Sequence, residues 1–205
     1  IVRLPGIHHD ANAVLLIGSE EAILIDSGTA WYQLLQQERI IGQCGEACKV
    51  REIVLTSRRY PFSGGSLSIS EHFGSIPIFA HHSAISSLST GDFFTTWANR
   101  FDSDMPRFDV EGIDGNSVKI LDDESIEILE SPGPSSCNLL VFIPSQQTAI
   151  AGALLPRADR PMRWDVPTGN LVQGLESLER LRDLQCEKLI PMHGPSLQGR
   201  DHIAE

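Results

Sequence analysis

The chain has 205 residues, 41% of them hydrophobic and 21% charged, with a formal net charge of −11. That length and balance fit one soluble globular domain, 1–205, which buries about 70% of its unfolded surface and needs no covalent staples. The negative charge disfavours non-specific binding to nucleic acid or anionic membrane. No apolar run approaches the roughly 20 residues of a membrane span, and no basic-then-apolar leader pattern opens the sequence, so a cytoplasmic location is expected.

Short apolar runs bounded by turn residues predict strands at 14–17, 22–25, 53–55, 76–80, 118–121, 126–129, 139–143, 148–151 and 188–190. Gly18-Ser19-Glu20-Glu21 and Asp122-Asp123-Glu124 read as hairpin turns. Trp31, Leu34, Leu35 and Ile41 recur at helical spacing and predict an amphipathic helix over 30–41. Leu171, Leu175, Leu178, Leu181 and Leu184 do the same, with Glu176, Glu179, Arg180 and Arg182 on the intervening, solvated face. Shorter helices are expected at 65–73 and 83–88. The stretch 91–115 carries Phe93, Phe94, Trp97, Phe101 and Phe108 without a period, and reads as an insertion over the core whose rings could roof a pocket. Strands followed by helix, twice over, predict two sheets packed face to face with helices outside, an α/β (α+β) four-layer αββα sandwich.

The four cysteines, Cys44, Cys48, Cys137 and Cys186, are too few and too scattered for a disulfide framework. Cys44-x-x-x-Cys48 is not a usual zinc spacing, and all four read as inert thiols.

One segment carries a specific frame. Thr56-Ser57-Arg58-Arg59-Tyr60-Pro61-Phe62-Ser63-Gly64-Gly65 follows the apolar run Ile53-Val54-Leu55. It resembles the metal-binding loop of the metallo-β-lactamase superfamily, Thr-His-x-His-x-Asp-His-x-Gly-Gly. Ala22 to Gly28 looks like the family's opening strand and its Leu-Ile-Asp-Thr-Gly turn. Ser131-Pro132-Gly133-Pro134, Ala151-Gly152-Ala153-Leu154-Leu155 and Ile190-Pro191-Met192-His193-Gly194-Pro195 look like its later site loops. The matches run in family order from about residue 4 to residue 197, and the pattern is most like the compact glyoxalase-II and lactamase-β-2-like hydrolases.

The resemblance implies the metallo-β-lactamase fold. In active members it also implies two metal ions that activate a hydroxide for attack on an ester, thioester, amide or phosphodiester. The matching positions here are Ser57, Arg59, Pro61, Phe62, Pro134, Ala153 and His193, so the resemblance implies a vestigial site. The expectation is a degenerate member, with no metal cofactor and without the family's hydrolysis. The alternative is a hydrolase with zinc or iron at a relocated site, for which His8, His9, Asp10 and His193 are the candidate ligands. His81-His82 is a further pair near a strand end, while His72 and His202 read as surface residues. Ser57 with His193 as base is a conceivable hydrolytic pair, but no nucleophile-elbow motif accompanies it. Arg58, Arg59, Arg157, Arg163 and His193 are candidate ligand-binding residues, since guanidinium groups grip carboxylate or phosphate at two points. A small anionic molecule or a protein partner is therefore expected, with no nucleic acid and no membrane.

Overall fold

The computed structural model describes residues 1–45, 49–160 and 162–204, with the side chains of His202 and Ala204 outside the description. The expectations for Cys48 and for His202 as a surface residue thus lie outside the described residues. The chain divides into two compact units, Ile1–Ile113 and Asp114–Glu205.

The first unit is built on a six-stranded sheet in the order β1 (Val2–Leu4), β2 (Ala13–Ile17), β3 (Glu21–Ile25), β4 (Lys49–Leu55), β5 (Ile78–His81), β6 (Glu111–Ile113). The first three strands are antiparallel and the rest run parallel from β3 onward. The change follows from the connections. The Gly18 to Glu21 turn closes a tight hairpin, with the Gly18 amide donating to the Glu21 carbonyl at 2.8 Å. The crossover through α1 (Gln33–Cys44) then returns the chain parallel. Ala22, Ile23, Leu24, Ile25, Ile53, Val54 and Leu55 are all buried, so β3 and β4 are covered on both faces, as central parallel strands are. Helices α2 (Tyr60–Ser63), α3 (Ser66–His72) and α4 (Ile85–Thr90) complete the unit.

The second unit is also a six-stranded sheet, in the order β12 (Leu197–Gln198), β11 (Lys188–Ile190), β10 (Thr148–Ile150), β9 (Leu139–Ile143), β8 (Glu124–Glu130), β7 (Ser117–Leu121). All neighbours are antiparallel except β10 and β11, which α5 (Leu171–Asp183) joins in parallel. The helix lies close at Gly174, where a Cβ on Gly133 would stand 2.2 Å from its Cα. Helix α6 (Arg200–Ala204) follows β12. Among the described residues no helix is long and apolar enough to cross a membrane.

Every expected strand is present, and three short ones, β1, β6 and β12, escaped the pattern because two or three residues cannot display a period. β6 lies inside the expected 91–115 insertion, so that stretch is partly sheet. The sidedness of α1 differs from the expectation. Trp31, Leu34, Leu35 and Ile41 are exposed, and the helix instead buries Gln36, Gln37 and Ile40. In α5 the buried residues are Gly174, Ser177 and Leu181, while Leu171 and Leu175 are exposed.

Candidate functional site

In parallel sheets, loops that leave the carboxyl ends of the strands form the sites. In the first unit those loops follow β3 and β4, and Asp26 clamps them together. Its backbone is left-handed, with φ of 60°. Its carboxylate accepts the Thr56 amide at 2.8 Å and the Thr56 hydroxyl at 2.7 Å. Burial of Asp26 pushes its carboxyl up to about 7, against the two Thr56 hydrogen bonds, which favour the charged form.

Beyond Thr56 the chain is tied down at nearly every residue. Ser57 is buried and its Oγ accepts the Arg59 amide at 3.3 Å. The Pro61 carbonyl accepts the Ala11 amide at 2.9 Å. The Phe62 carbonyl accepts both the Ser27 amide, at 2.7 Å, and the Ser27 hydroxyl, at 2.9 Å. Ser63 donates to the carbonyls of Arg58 and Arg59. The Tyr60 and Phe62 side chains are 0% and 1% exposed. Gly64 and Gly65 permit this closeness. A Cβ on Gly64 would lie 2.6 Å from the Tyr60 ring, and one on Gly65 2.9 Å from the Ser27 carbonyl oxygen. The glycine pair thus meets a packing need of the loop itself.

Both arginines of the loop are buried. Arg58 donates from Nη1 to the Ser83 carbonyl at 3.2 Å. Burial raises the neighbouring Asp92 carboxyl, but hydrogen bonds from Thr95 and the Phe94 amide, with the charge of Arg58, outweigh it and hold the carboxyl below the usual range. The Arg59 guanidinium lies over the Trp97 indole, 5.4 Å from the ring centroid, an arrangement that suits a planar, weakly hydrated cation.

The histidines near the first strand diverge. His8 is exposed and stacks on Tyr32, with centroids 5.7 Å apart and planes at 9°. His9 turns instead to Trp31 and Phe101, at 6.3 and 5.4 Å. Asp10 points inward, where its Oδ1 accepts the Thr29 amide at 2.9 Å, and burial pushes its carboxyl up. These three neighbours therefore offer no common focus for an ion. The His81 and His82 rings lie 4.1 Å apart with their planes tilted by 34°, and His81 Nδ1 is engaged by the Ser83 hydroxyl at 2.8 Å. His72 is exposed beside Phe73.

In the second unit, Ala153 and His193 follow the ends of the paired parallel strands β10 and β11, and the His193 amide donates to the Pro156 carbonyl at 2.9 Å. Pro134 and Ala153 are buried and His193 is half-buried. Asn138, which the sequence reading missed, joins two of these loops. Its Nδ2 donates to the Ser131 carbonyl and hydroxyl at 3.0 and 2.6 Å, and its Oδ1 accepts the Ala153 amide at 3.1 Å. Nothing local in the sequence marked it, because its partners are distant along the chain. Arg157 and Arg163 are exposed, each beside an acid two residues on. Arg157 meets Asp159 at 3.1 Å, and Arg163 grips Asp165 at 2.6 and 2.7 Å. Cys137 and Cys186 are buried, and burial raises the Cys186 thiol.

No family model matches the chain. It is 26% identical to a probable metallo-hydrolase of Methanocaldococcus jannaschii, over 95% of this chain and 92% of that protein. Its fold is similar to that of TTHA1623, solved in a di-iron-bound form, with a TM-score of 0.79 and 22% identity over 97% of this chain and 94% of the other. BLEG-1, a B3 metallo-β-lactamase, gives a TM-score of 0.79 at 18% identity, over 96% of this chain and 93% of the other. An archaeal metallo-β-lactamase superfamily protein of Sulfolobus tokodaii gives 0.72 at 15% identity, over 97% and 80%. The chain has the metallo-β-lactamase fold.

A dinuclear centre of that superfamily can be tested against the residues in place. Zinc takes about three or four N, O or S donors at roughly 2.0–2.3 Å. The matching positions supply one imidazole, His193, and one neutral hydroxyl, Ser57, which already accepts the Arg59 amide. Proline, phenylalanine and alanine donate nothing, and a guanidinium stays protonated and repels a dication. Among the described residues no group of three or more His, Cys, Asp or Glu side chains is arranged to hold a metal ion. This donor set does not fit the metallo-β-lactamase centre.

Proposed function

We propose that this metallo-β-lactamase-fold protein is a pseudoenzyme. It lacks the superfamily's dinuclear hydrolysis and acts by binding, in the first instance to a protein partner. The observation that carries this reading is the loop after β4. Its side chains and carbonyls are committed to packing, with Tyr60 and Phe62 buried and the Arg59 guanidinium laid on Trp97. A loop built this way supports the fold and presents no group to activate water. Large apolar side chains left exposed, Trp31, Leu34, Leu35 and Ile41 around α1 and Leu171, Val172 and Leu175 on α5, supply surface of the kind partners use.

Assay of the purified chain against ester, thioester and phosphodiester substrates, with and without added zinc, iron or manganese, tests the proposal. Rates at the buffer background under every condition are expected. Turnover that rises with a metal and disappears in His193→Ala would overturn it and favour a hydrolase with a relocated site, the reading in keeping with the metallo-hydrolase named above.

A second reading, a small anion held without turnover, has its own observation: Arg58 and Arg59 place two buried cations beside each other. Calorimetric titration with phosphorylated and carboxylate metabolites separates the two. Silent titrations, or equal binding by Arg59→Ala, exclude the anion reading.

A further inference from the structure

We propose that the cavity between α5 and the β8–β9 ladder binds an aliphatic amino acid as its zwitterion. The cavity has a volume of about 290 Å³ and lies within the second unit. Small-molecule sites of roughly 300–1,000 Å³ are mostly apolar, with a few placed polar groups, and this one is at the small end. Its two sides follow from the sequence. Leu129 and Leu140 stand opposite each other across β8 and β9. Ser177, Arg180, Leu181 and the C-cap Leu184 share one face of α5, at i, i+3, i+4 and i+7. Ser131, Leu140, Ser177 and Leu181 are each no more than 5% exposed, so the inner wall belongs to the core.

The polar groups of the lining are held in place. Asn138 Oδ1 accepts the Ala153 amide, so its Nδ2 is the donor to the Ser131 hydroxyl, at 2.6 Å. The buried Ser131 hydroxyl therefore keeps its own hydrogen, for which the described residues supply no acceptor. Ser131 lies two residues beyond Leu129 in extended chain, on the same face. Arg180 Nη2 donates to the Ser177 hydroxyl at 2.9 Å, and that hydroxyl donates to the Pro132 carbonyl at 2.7 Å. The guanidinium is thus steered by a buried anchor. Among the described residues it makes no ion pair, although Glu130 and Asp183 line the same cavity. Asp183 meets Arg182 at 3.6 Å. Glu130 lies across Gly115, where a Cβ would stand 1.9 Å from its Cγ.

These groups select the class of ligand. A carboxylate takes an N–H of Arg180 and the O–H of Ser131, both charge-assisted bonds. A bare anion is disfavoured, because the lining sets two acids against one arginine. An ammonium on the same molecule removes that objection. Glu130 accepts it beside the contacts it already has, since a carboxylate offers about four lone-pair sites. Leu129, Leu140, Leu181 and Leu184 then cover a branched aliphatic side chain. The inference does not depend on whether the loop after β4 is chemically silent.

Titration of the full chain followed by NMR, at neutral pH and constant ionic strength, tests it with leucine and three probes that each lack one feature. These are 4-methylpentanoate, without the ammonium, 3-methylbutylamine, without the carboxylate, and glycine, without the side chain. Saturable binding of leucine is expected, about tenfold tighter than that of each probe. Arg180→Gln and Glu130→Gln should each weaken leucine about tenfold, whereas Glu130→Gln should leave 4-methylpentanoate no weaker. Arg180 and Glu130 are exposed, so both variants keep the fold. No saturable shift with leucine, equal affinity for 4-methylpentanoate, or leucine affinity unchanged in Arg180→Gln would overturn the proposal.

Discussion

Asp26 is the residue on which the strand-end loops turn, and its burial has a measurable consequence. With its carboxyl raised to about 7 in the folded chain, against 3.8 ordinarily, the folded state holds a proton that the unfolded state has released. The stability from this group is therefore fully present below the unfolded value and is lost as pH rises through about 7. Within that window the loss is at most about 1.4 kcal/mol per pH unit. Asparagine mimics the protonated form. Urea midpoints of the wild type and Asp26→Asn should therefore diverge between pH 4 and pH 7, with the wild type losing ground steadily. Parallel curves would show that Asp26 does not hold that proton. Gly64 and Gly65 make a second residue-scale prediction. Gly65→Ala brings a Cβ within 2.9 Å of a backbone oxygen and should destabilise the chain by about 2 kcal/mol or more, with or without a chelator. An effect that appears only when metal is present would tie the glycines to ligation and not to packing.

At the scale of elements, α1 shows where a sequence pattern misleads. Periodicity located the helix correctly, because Trp31, Leu34, Leu35 and Ile41 do share a stripe. It assigned the wrong side, because apolar spacing reveals a face and not what that face meets. The inward face is held by polar contacts instead. Gln37 Nε2 donates to the Ser68 carbonyl and hydroxyl at 3.1 and 3.0 Å. Leu34→Gln should thus change stability by less than about 0.5 kcal/mol, whereas Gln37→Ala should cost about 1–2 kcal/mol. Chemical denaturation of the two variants decides the matter, and the reverse order would mean that the helix is rolled the other way. The strands were easier to read. The runs Ala22 to Ile25 and Ile53 to Leu55 are apolar enough to require burial on both faces, and their turns carry local signals. Site details were less legible. The Thr56 to Gly65 frame marked the loop, but the Trp97 seat of Arg59 and the Asn138 bridge join residues far apart in sequence, and no local pattern records such pairings.

For the molecule as a whole, the proposed function separates the fold from the chemistry usually attached to it. Two six-stranded sheets form a metallo-β-lactamase fold, and the positions that the sequence resemblance matches to metal ligands include Arg59, Pro61, Phe62, Pro134 and Ala153. The frame is held by packing and hydrogen bonds of its own. Asp26 clamps Thr56, Ser27 holds the Phe62 carbonyl, and the two glycines admit Tyr60 and the Ser27 backbone, all by contacts that need no ion. Fold alone therefore does not assign the reaction. The measurement that tests this most directly is the metal content of protein purified without an affinity tag, by elemental analysis after incubation with zinc, iron and manganese. Less than about a tenth of an equivalent of each is predicted, against the three or four donors a bound zinc requires. Near one equivalent, lost in His193→Ala, would contradict the account and mean that a metal site has been rebuilt around that histidine.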